Sequence, residues 1–320
     1  MSSPTLNDLR NGLLDEAAQR ALLDQYLADF ATRNNSDTAG QLFEIADHLS
    51  YALLNEQRYA EARAIAERAL QAGEDAALLH TLALSEHAMG ESRQAITHLQ
   101  QALDQLEKAG HAESLAMQSD ILEHLAQIHQ SQNQHLRAIQ SLERAAELSH
   151  ANTDIEGYIR SKTQLARLTH DLGDALQASE HWMDILSVTR APEATSKLDE
   201  HAARALLQLA DLAREGGNTE LEKSLRNEAL EVLSKAGMAK ELAQTLFQLA
   251  RTQNQRDIMW QAVWLMLGIT QNIDGLINAH AWLYMREDQK TDPDSSLLAA
   301  AIWATIESLP DNKAPEDMAR

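Results

Sequence analysis

A large apolar residue followed directly by a small one recurs along this chain, at Leu49-Ser50, Leu82-Ala83, Leu125-Ala126, Leu165-Ala166, Leu209-Ala210 and Leu249-Ala250. After each pair a turn leads to a small residue: Ala62, Ala95, Ala138, Ala178 and Ala262, with Glu222 standing at the fifth place as the exception. The intervals are 33, 43, 40, 44 and 40 residues, 200 over five steps or 40 on average. Self-similarity at such a period marks a repeat array, in which one supersecondary unit buries its apolar face only by stacking on the next. A chain of this kind need not divide into globular domains of roughly 150 residues each.

The repeated unit is helical. Between Pro4 and Pro192 there is no proline, and Ala, Leu, Gln, Glu and Arg dominate, residues that lose little on entering a helix. Val occurs only at Val188, Val232 and Val263, and no segment alternates apolar and polar residues as a half-buried strand does. Turn residues fall between the two helices of each unit: Gly90-Glu91, Gln132-Asn133, Gly173-Asp174, Gly216-Gly217-Asn218 and Asn254-Gln255. Gly and Asn supply the left-handed residue that stops one helix and lets a second fold back.

With 27 Lys+Arg against 48 Asp+Glu the formal charge is −21, and 44% of the residues are hydrophobic. That is enough to bury a core, and an acidic surface repels nucleic-acid phosphates and anionic membranes, so neither is expected as a partner. The absence of Cys excludes disulfides, thiolate metal sites and thiol nucleophiles. Met1 to Arg20 mixes Asp8, Asp15 and Glu16 among its leucines, unlike a secretory signal. Ile258 to Ile273, the most apolar stretch, is broken by Gln261, Gly268, Gln271 and Asn272 and is shorter than the ~20 residues that span a bilayer. A soluble, cytoplasmic protein is expected.

The sequence resembles the tetratricopeptide repeat (TPR) family, whose units carry a large-small pair in helix A, a turn, and small residues in helix B. The likeness is clearest in LSYALLNEQRYAEARAIAERAL (49–70) and LALSEHAMGESRQAITHLQQAL (82–103), and covers about residues 42 to 285. The family's usual tryptophan near the start of helix A and its closing proline are missing. The long repeats look like the branch found in bacterial regulators and signalling adaptors. The resemblance implies an all-α, right-handed superhelix of helical hairpins: N-terminal capping helices over 1–41, six hairpins over 42–272, a C-terminal capping hairpin over 273–309 and a flexible tail over 310–320. Leu13, Leu14, Ala17, Ala21, Leu22, Tyr26 and Phe30 stand at helical spacing within the N-terminal cap.

Carried onto this sequence residue by residue, the family's groove geometry implies two contrasting halves. Glu44, Asp47, His48, Tyr51, His80, His87, Asp120, Glu123 and His124 make the first half acidic and histidine-rich. Arg160, Gln164, Arg167, His170, Arg204, Gln208, Asp211, Arg214, Gln248 and Arg251 give the second half five arginines and a ladder of glutamines at one equivalent position. Guanidinium groups pair bidentately with carboxylate or phosphate, so one expectation is an acidic or phosphorylated peptide, or an acidic C-terminus, in that half. The other is that Arg167, Arg214 and Arg251 answer Asp171, Asp211 and Glu215 in surface ion pairs, each contributing under about 1 kcal/mol. The places where chaperone-binding relatives carry Lys and Asn hold His48, His124 and Gln, so chaperone-tail binding is not implied.

Other chemistries find little support. No HExxH is present among 13 histidines, and His80 and His87 lie about 10 Å apart along one helix, too far to share an ion. His87 and His124 on adjacent hairpins are the remaining candidates for zinc, with polar groove contacts as the alternative. No metal and no cofactor is expected. No Gly-rich phosphate loop, GxSxG elbow or paired acid and base beside a nucleophile occurs, so no enzyme is expected. Trp260, Trp264, Trp282 and Trp303 crowd the last quarter, closing a C-terminal cap or forming a patch that anchors a partner or a second copy of the chain. The reading is a non-catalytic protein- or peptide-binding adaptor or regulator. The alternatives are a module sensing a small molecule or signalling peptide, which needs one small pocket with convergent polar groups, and a self-assembling scaffold.

Overall fold

The computed structural model describes residues 4–33, 35–111, 114–191, 194–253 and 256–265. Among these there is no strand. Fourteen α-helices follow one another: α1 Leu6–Arg10, α2 Glu16–Arg33, α3 Ser36–Asn55, α4 Tyr59–Leu70, α5 Ala76–Ala88, α6 Ser92–Ala109, α7 Leu115–Ser131, α8 His135–Ala151, α9 Ile155–Asp171, α10 Ala175–Thr189, α11 Asp199–Glu215, α12 Thr219–Ala236, α13 Ala239–Gln253 and α14 Arg256–Leu265, with a 3₁₀ turn at Ser196–Leu198. The expected capping hairpin over 273–309 and tail over 310–320 lie outside the described residues. The chain forms two compact units, Met1–Leu168 and Thr169–Arg320. The architecture is an all-α stack of TPR-like helical hairpins.

One local device builds five of the hairpin turns; the expected Asn254-Gln255 turn lies outside the described residues. Gln57, Gly90, Asn133, Gly173 and Gly217 each have a positive φ, between 58° and 87°. The next residue's N–H reaches back across the turn: Arg58 to the Leu53 carbonyl at 2.9 Å, Glu91 to Glu86 at 2.8 Å, Gln134 to His129 at 2.8 Å, Asp174 to Thr169 at 2.9 Å and Asn218 to Ala213 at 2.8 Å. These are Schellman closures, which satisfy carbonyls that helix A leaves unpaired. Asp174 and Asn218 serve twice, since their side chains also accept from the backbone N–H groups of Gln177 and Leu221 and so cap the following helix. Each left-handed residue stands five places before Ala62, Ala95, Ala138, Ala178 or Glu222, which fixes Glu222 in the same register as the alanines.

Packing explains why those positions are small. Ala62, Ala95, Ala138, Ala178 and Ala262 are fully buried, and the large-small pairs from Leu49-Ser50 to Leu249-Ala250 are buried with them. Small residues let the helices approach closely where they cross. In the first unit, α3 to α8 pack neighbour on neighbour, and α5 also touches both α3 and α7 directly. Leu22 and Leu23 of α2 enter the same core as Leu42, Ile45 and Leu49, with Tyr26, Leu27 and Phe30 against it, whereas Leu13 is 70% exposed. Ion pairs tie α2 to α4 outside that core: Arg20 with Glu61 at 2.7 Å and Arg58 with Glu16 at 2.7 Å. Arg58 first, and Arg20 after it, pull the Glu16 carboxyl down to about 2.

The second unit carries the exception. Glu222 is 1% exposed where its counterparts are alanine, and its charge is met by Arg226, 4% exposed, whose Nε donates to Glu222 Oε1 at 3.0 Å. Arg226 Nη2 donates to Asp211 Oδ1 at 2.7 Å, joining α12 to α11. Glu222 Oε2 has no hydrogen-bond partner among the described residues. The departure from the repeat pattern is therefore a buried ion pair and not a shifted register.

Candidate functional site: the helix A faces

In each repeat the first helix presents polar residues flanking its buried pair. In the first unit these helices are α3, α5, α7 and α9. Several of these polar residues bind a neighbouring hairpin or the N-terminal helix. Arg10 grips Glu44 through Nε at 2.6 Å and Nη2 at 2.7 Å, securing α1 on α3. Thr81 Oγ1 donates to Asp47 Oδ1 at 2.9 Å, joining α5 to α3. His80 Nε2 and His124 Nδ1 lie 2.9 Å apart with ring centroids at 4.8 Å, joining α5 to α7. Arg160 on α9 donates to Glu123 Oε2 at 2.5 Å and to Asp120 Oδ1 at 2.6 Å, and Ser161 Oγ donates to Glu123 Oε1 at 2.6 Å.

Burial sets the charge on this face. It pushes His80 down to about 3, with a smaller push from the adjacent His124, and it lowers His124 as well. Both imidazoles are therefore neutral at pH 7, one donating and the other accepting the shared hydrogen bond. Burial raises Asp47 and Glu123, against hydrogen bonds from Thr81 and from Ser161 and Arg160 that work the other way. His48 and Tyr51 are exposed, and His87 is half-buried with Nδ1 3.2 Å from Ser92 Oγ. Gln164 is half-buried; Arg167 is exposed and makes no ion pair among the described residues. The histidine pairing across repeats was not anticipated, because it joins residues 44 apart at non-equivalent positions. The sequence signal lay in the period itself, which places residues near that separation on facing helices.

In the second unit the expected residues stand mainly on α11. Arg204 is exposed and pairs with Glu200 on the same helix. Arg214 is exposed and reaches Asp211 at 3.4 Å, with Arg226 as the closer partner of that carboxylate. Gln208 is exposed between them, and His170 Nε2 lies 2.9 Å from Glu215 Oε2. Gln248 on α13 is half-buried. The side chains of Arg251, Trp260 and Trp264 lie outside the described residues, as do Trp282 and Trp303 altogether. The arginines thus differ in how firmly they are held. Arg160 is clamped by two carboxylates from another helix, one of them on the buried Glu123, while Arg204 and Arg214 each hold one exposed carboxylate of their own helix.

No group of three or more His, Asp or Glu among the described residues is arranged to hold a metal ion, and no described helix is long and apolar enough to cross a membrane. No curated protein matches the chain. A sequence model of the tetratricopeptide repeat matches residues 119–152, which cover most of α7, the Asn133 turn and α8. Among solved structures, BtubC (BKLC) from P. vanneervenii aligns at 15% identity over 69% of this chain and 91% of its own, with a TM-score of 0.55. PilF of Pseudomonas aeruginosa aligns at 16% identity over 73% and 94%, TM-score 0.50, and the apo form of RapI at 11% over 83% and 99%, TM-score 0.51. At these identities the likeness is one of fold. Taken with the repeated Schellman turns and the buried small residues of helix B, it shows a fold like that of tetratricopeptide repeat proteins, with residues 119–152 matching the repeat itself.

Proposed function

We propose that the chain is a non-catalytic protein-interaction adaptor, and that the exposed face of α11 receives an acidic or phosphorylated segment of its partner. The observation that carries this reading is the state of Arg204 and Arg214. Their side chains are 56% and 53% exposed, and each is paired only within its own helix, at i,i+4 and i,i+3. Exposed pairs of that kind contribute about 0.3–0.5 kcal/mol. A partner segment that presents a carboxylate or phosphate to each guanidinium, about 15 Å apart along α11, gains charge-assisted, bidentate hydrogen bonds and displaces little. Gln208, one turn from Arg204, offers an amide donor and acceptor for the partner backbone. Arg160 is excluded from this role, since freeing it strands the buried Glu123.

The test is fluorescence anisotropy with labelled acidic, phosphoserine-bearing, neutral and basic peptides at low and high salt, on wild type and on Arg204→Ala/Arg214→Ala. Acidic or phosphorylated peptides should bind preferentially, weaken with salt, and lose about tenfold or more in affinity in the double variant. Equal binding of basic peptides, or binding untouched by the double variant, would refute the assignment to α11.

A further inference from the structure

On the opposite, helix B side of the first unit lies a cavity of about 570 Å³, walled by α6 and α8 and floored by α7. Its size falls within the roughly 300–1,000 Å³ typical of small-molecule sites. We propose that it binds a small zwitterion with an apolar body, of the class of free apolar α-amino acids. The floor is Leu122 and Leu125 of α7, with Leu103 of α6 beside them. Set into that floor is His129, 5% exposed, whose Nδ1 lies 2.9 Å from Gln134 Oε1, while its Nε2 makes no hydrogen bond among the described residues.

The charges on the two walls are opposite. Glu107 on α6 and Arg144 on α8 meet in an ion pair that bridges the cavity at one end. Arg137 stands seven residues earlier on α8, about 10 Å along its axis, and among the described residues its side chain hydrogen-bonds Gln134 Oε1 at 3.2 Å. Asp104, on the facing wall, makes no ion pair among the described residues. A net anion entering here meets Asp104 and Glu107, and a net cation meets Arg137 and Arg144. A zwitterion satisfies both walls: its carboxylate on Arg137, its ammonium on Asp104, and its side chain over the leucines with the imidazole beside it. The cavity shares no residue with the α11 face, so it stands whether or not that face binds acidic segments.

The full chain is titrated calorimetrically and by saturation-transfer NMR with leucine and phenylalanine, then with glycine, N-acetyl-leucine and leucinamide. Leucine or phenylalanine should bind with a Kd on the order of 0.1–1 mM, the range open to a ligand of about ten heavy atoms. Blocking either terminus, or introducing Arg137→Gln or Asp104→Asn, should weaken binding about tenfold, and glycine should not bind. Both substitutions are on exposed wall positions, and circular dichroism checks that they leave the fold intact. The proposal is overturned if neither amino acid binds at about 10 mM. It is overturned equally if N-acetyl-leucine or leucinamide binds as tightly as leucine, which would point to a peptide end, or if both variants bind as wild type.

Discussion

Replacing Arg226 by Met tests the most unusual feature of the second unit. The substitution keeps the volume but leaves Glu222, 1% exposed, with both carboxylate oxygens unpaired, and takes from Asp211 its nearer partner. Removing one member of a buried pair costs about 3–5 kcal/mol, because the remaining charge has neither water nor a partner. At 3 kcal/mol the local opening constant rises roughly 150-fold. Hydrogen exchange reads this directly: amides of α11 and α12 should exchange faster by about that factor, while those of α3 to α8 keep their protection. The double substitution Glu222→Ala/Arg226→Leu restores the alanine found in the other repeats and removes both charges. It should be neutral or stabilising by roughly 1–4 kcal/mol, as when buried ion pairs are replaced by apolar groups that fit. The reasoning fails if Arg226→Met costs under about 1 kcal/mol, or if the double variant is as destabilised as the single one.

Three further outcomes follow from the geometry. Gly90→Ala places a side chain at φ 87°, with nothing within 4 Å to clash with it, so urea unfolding should report a backbone cost of about 1–2 kcal/mol; Gln57→Gly, at φ 62°, should be neutral or stabilising. His80 titrates at about 3 folded against 6.5 unfolded, so the unfolded chain binds the proton first. That contribution to stability is complete above pH 6.5 and falls away as pH drops from 6.5 toward 3. The raised Glu123 and Asp47 act in the opposite sense at lower pH, so His80→Asn should flatten the loss of urea midpoint between pH 7 and 5. Arg160→Gln leaves the buried Glu123 with only Ser161 and should cost about 1–3 kcal/mol in urea unfolding while leaving peptide binding at α11 unchanged.

The repeat period, the large-small pairs and four of the turns, at Gly90, Asn133, Gly173 and Gly217, were legible in the sequence, because each has a local cause; the Gln57 turn was not, and Asn254-Gln255 lies outside the described residues. A left-handed residue must close each hairpin, and a small one must stand where helices cross. Glu222 breaks the pattern in the sequence, and only the structure showed that it keeps the register and is answered by Arg226 four residues on. The pairing of the helix A side chains was not legible. Whether Arg160 is bound or available depends on Asp120 and Glu123, which lie 40 and 37 residues away and meet it only when α7 and α9 pack. The same holds for the neutral His80–His124 pair, set by burial and a neighbour 44 residues off, and for the cavity, which exists because α6 and α8 stand apart over α7. Local backbone preference and hydrophobic periodicity act over a few residues, so sequence alone determined the hairpins and their stacking order. Charge state, pairing and cavities arise between repeats, and tertiary structure alone decided them.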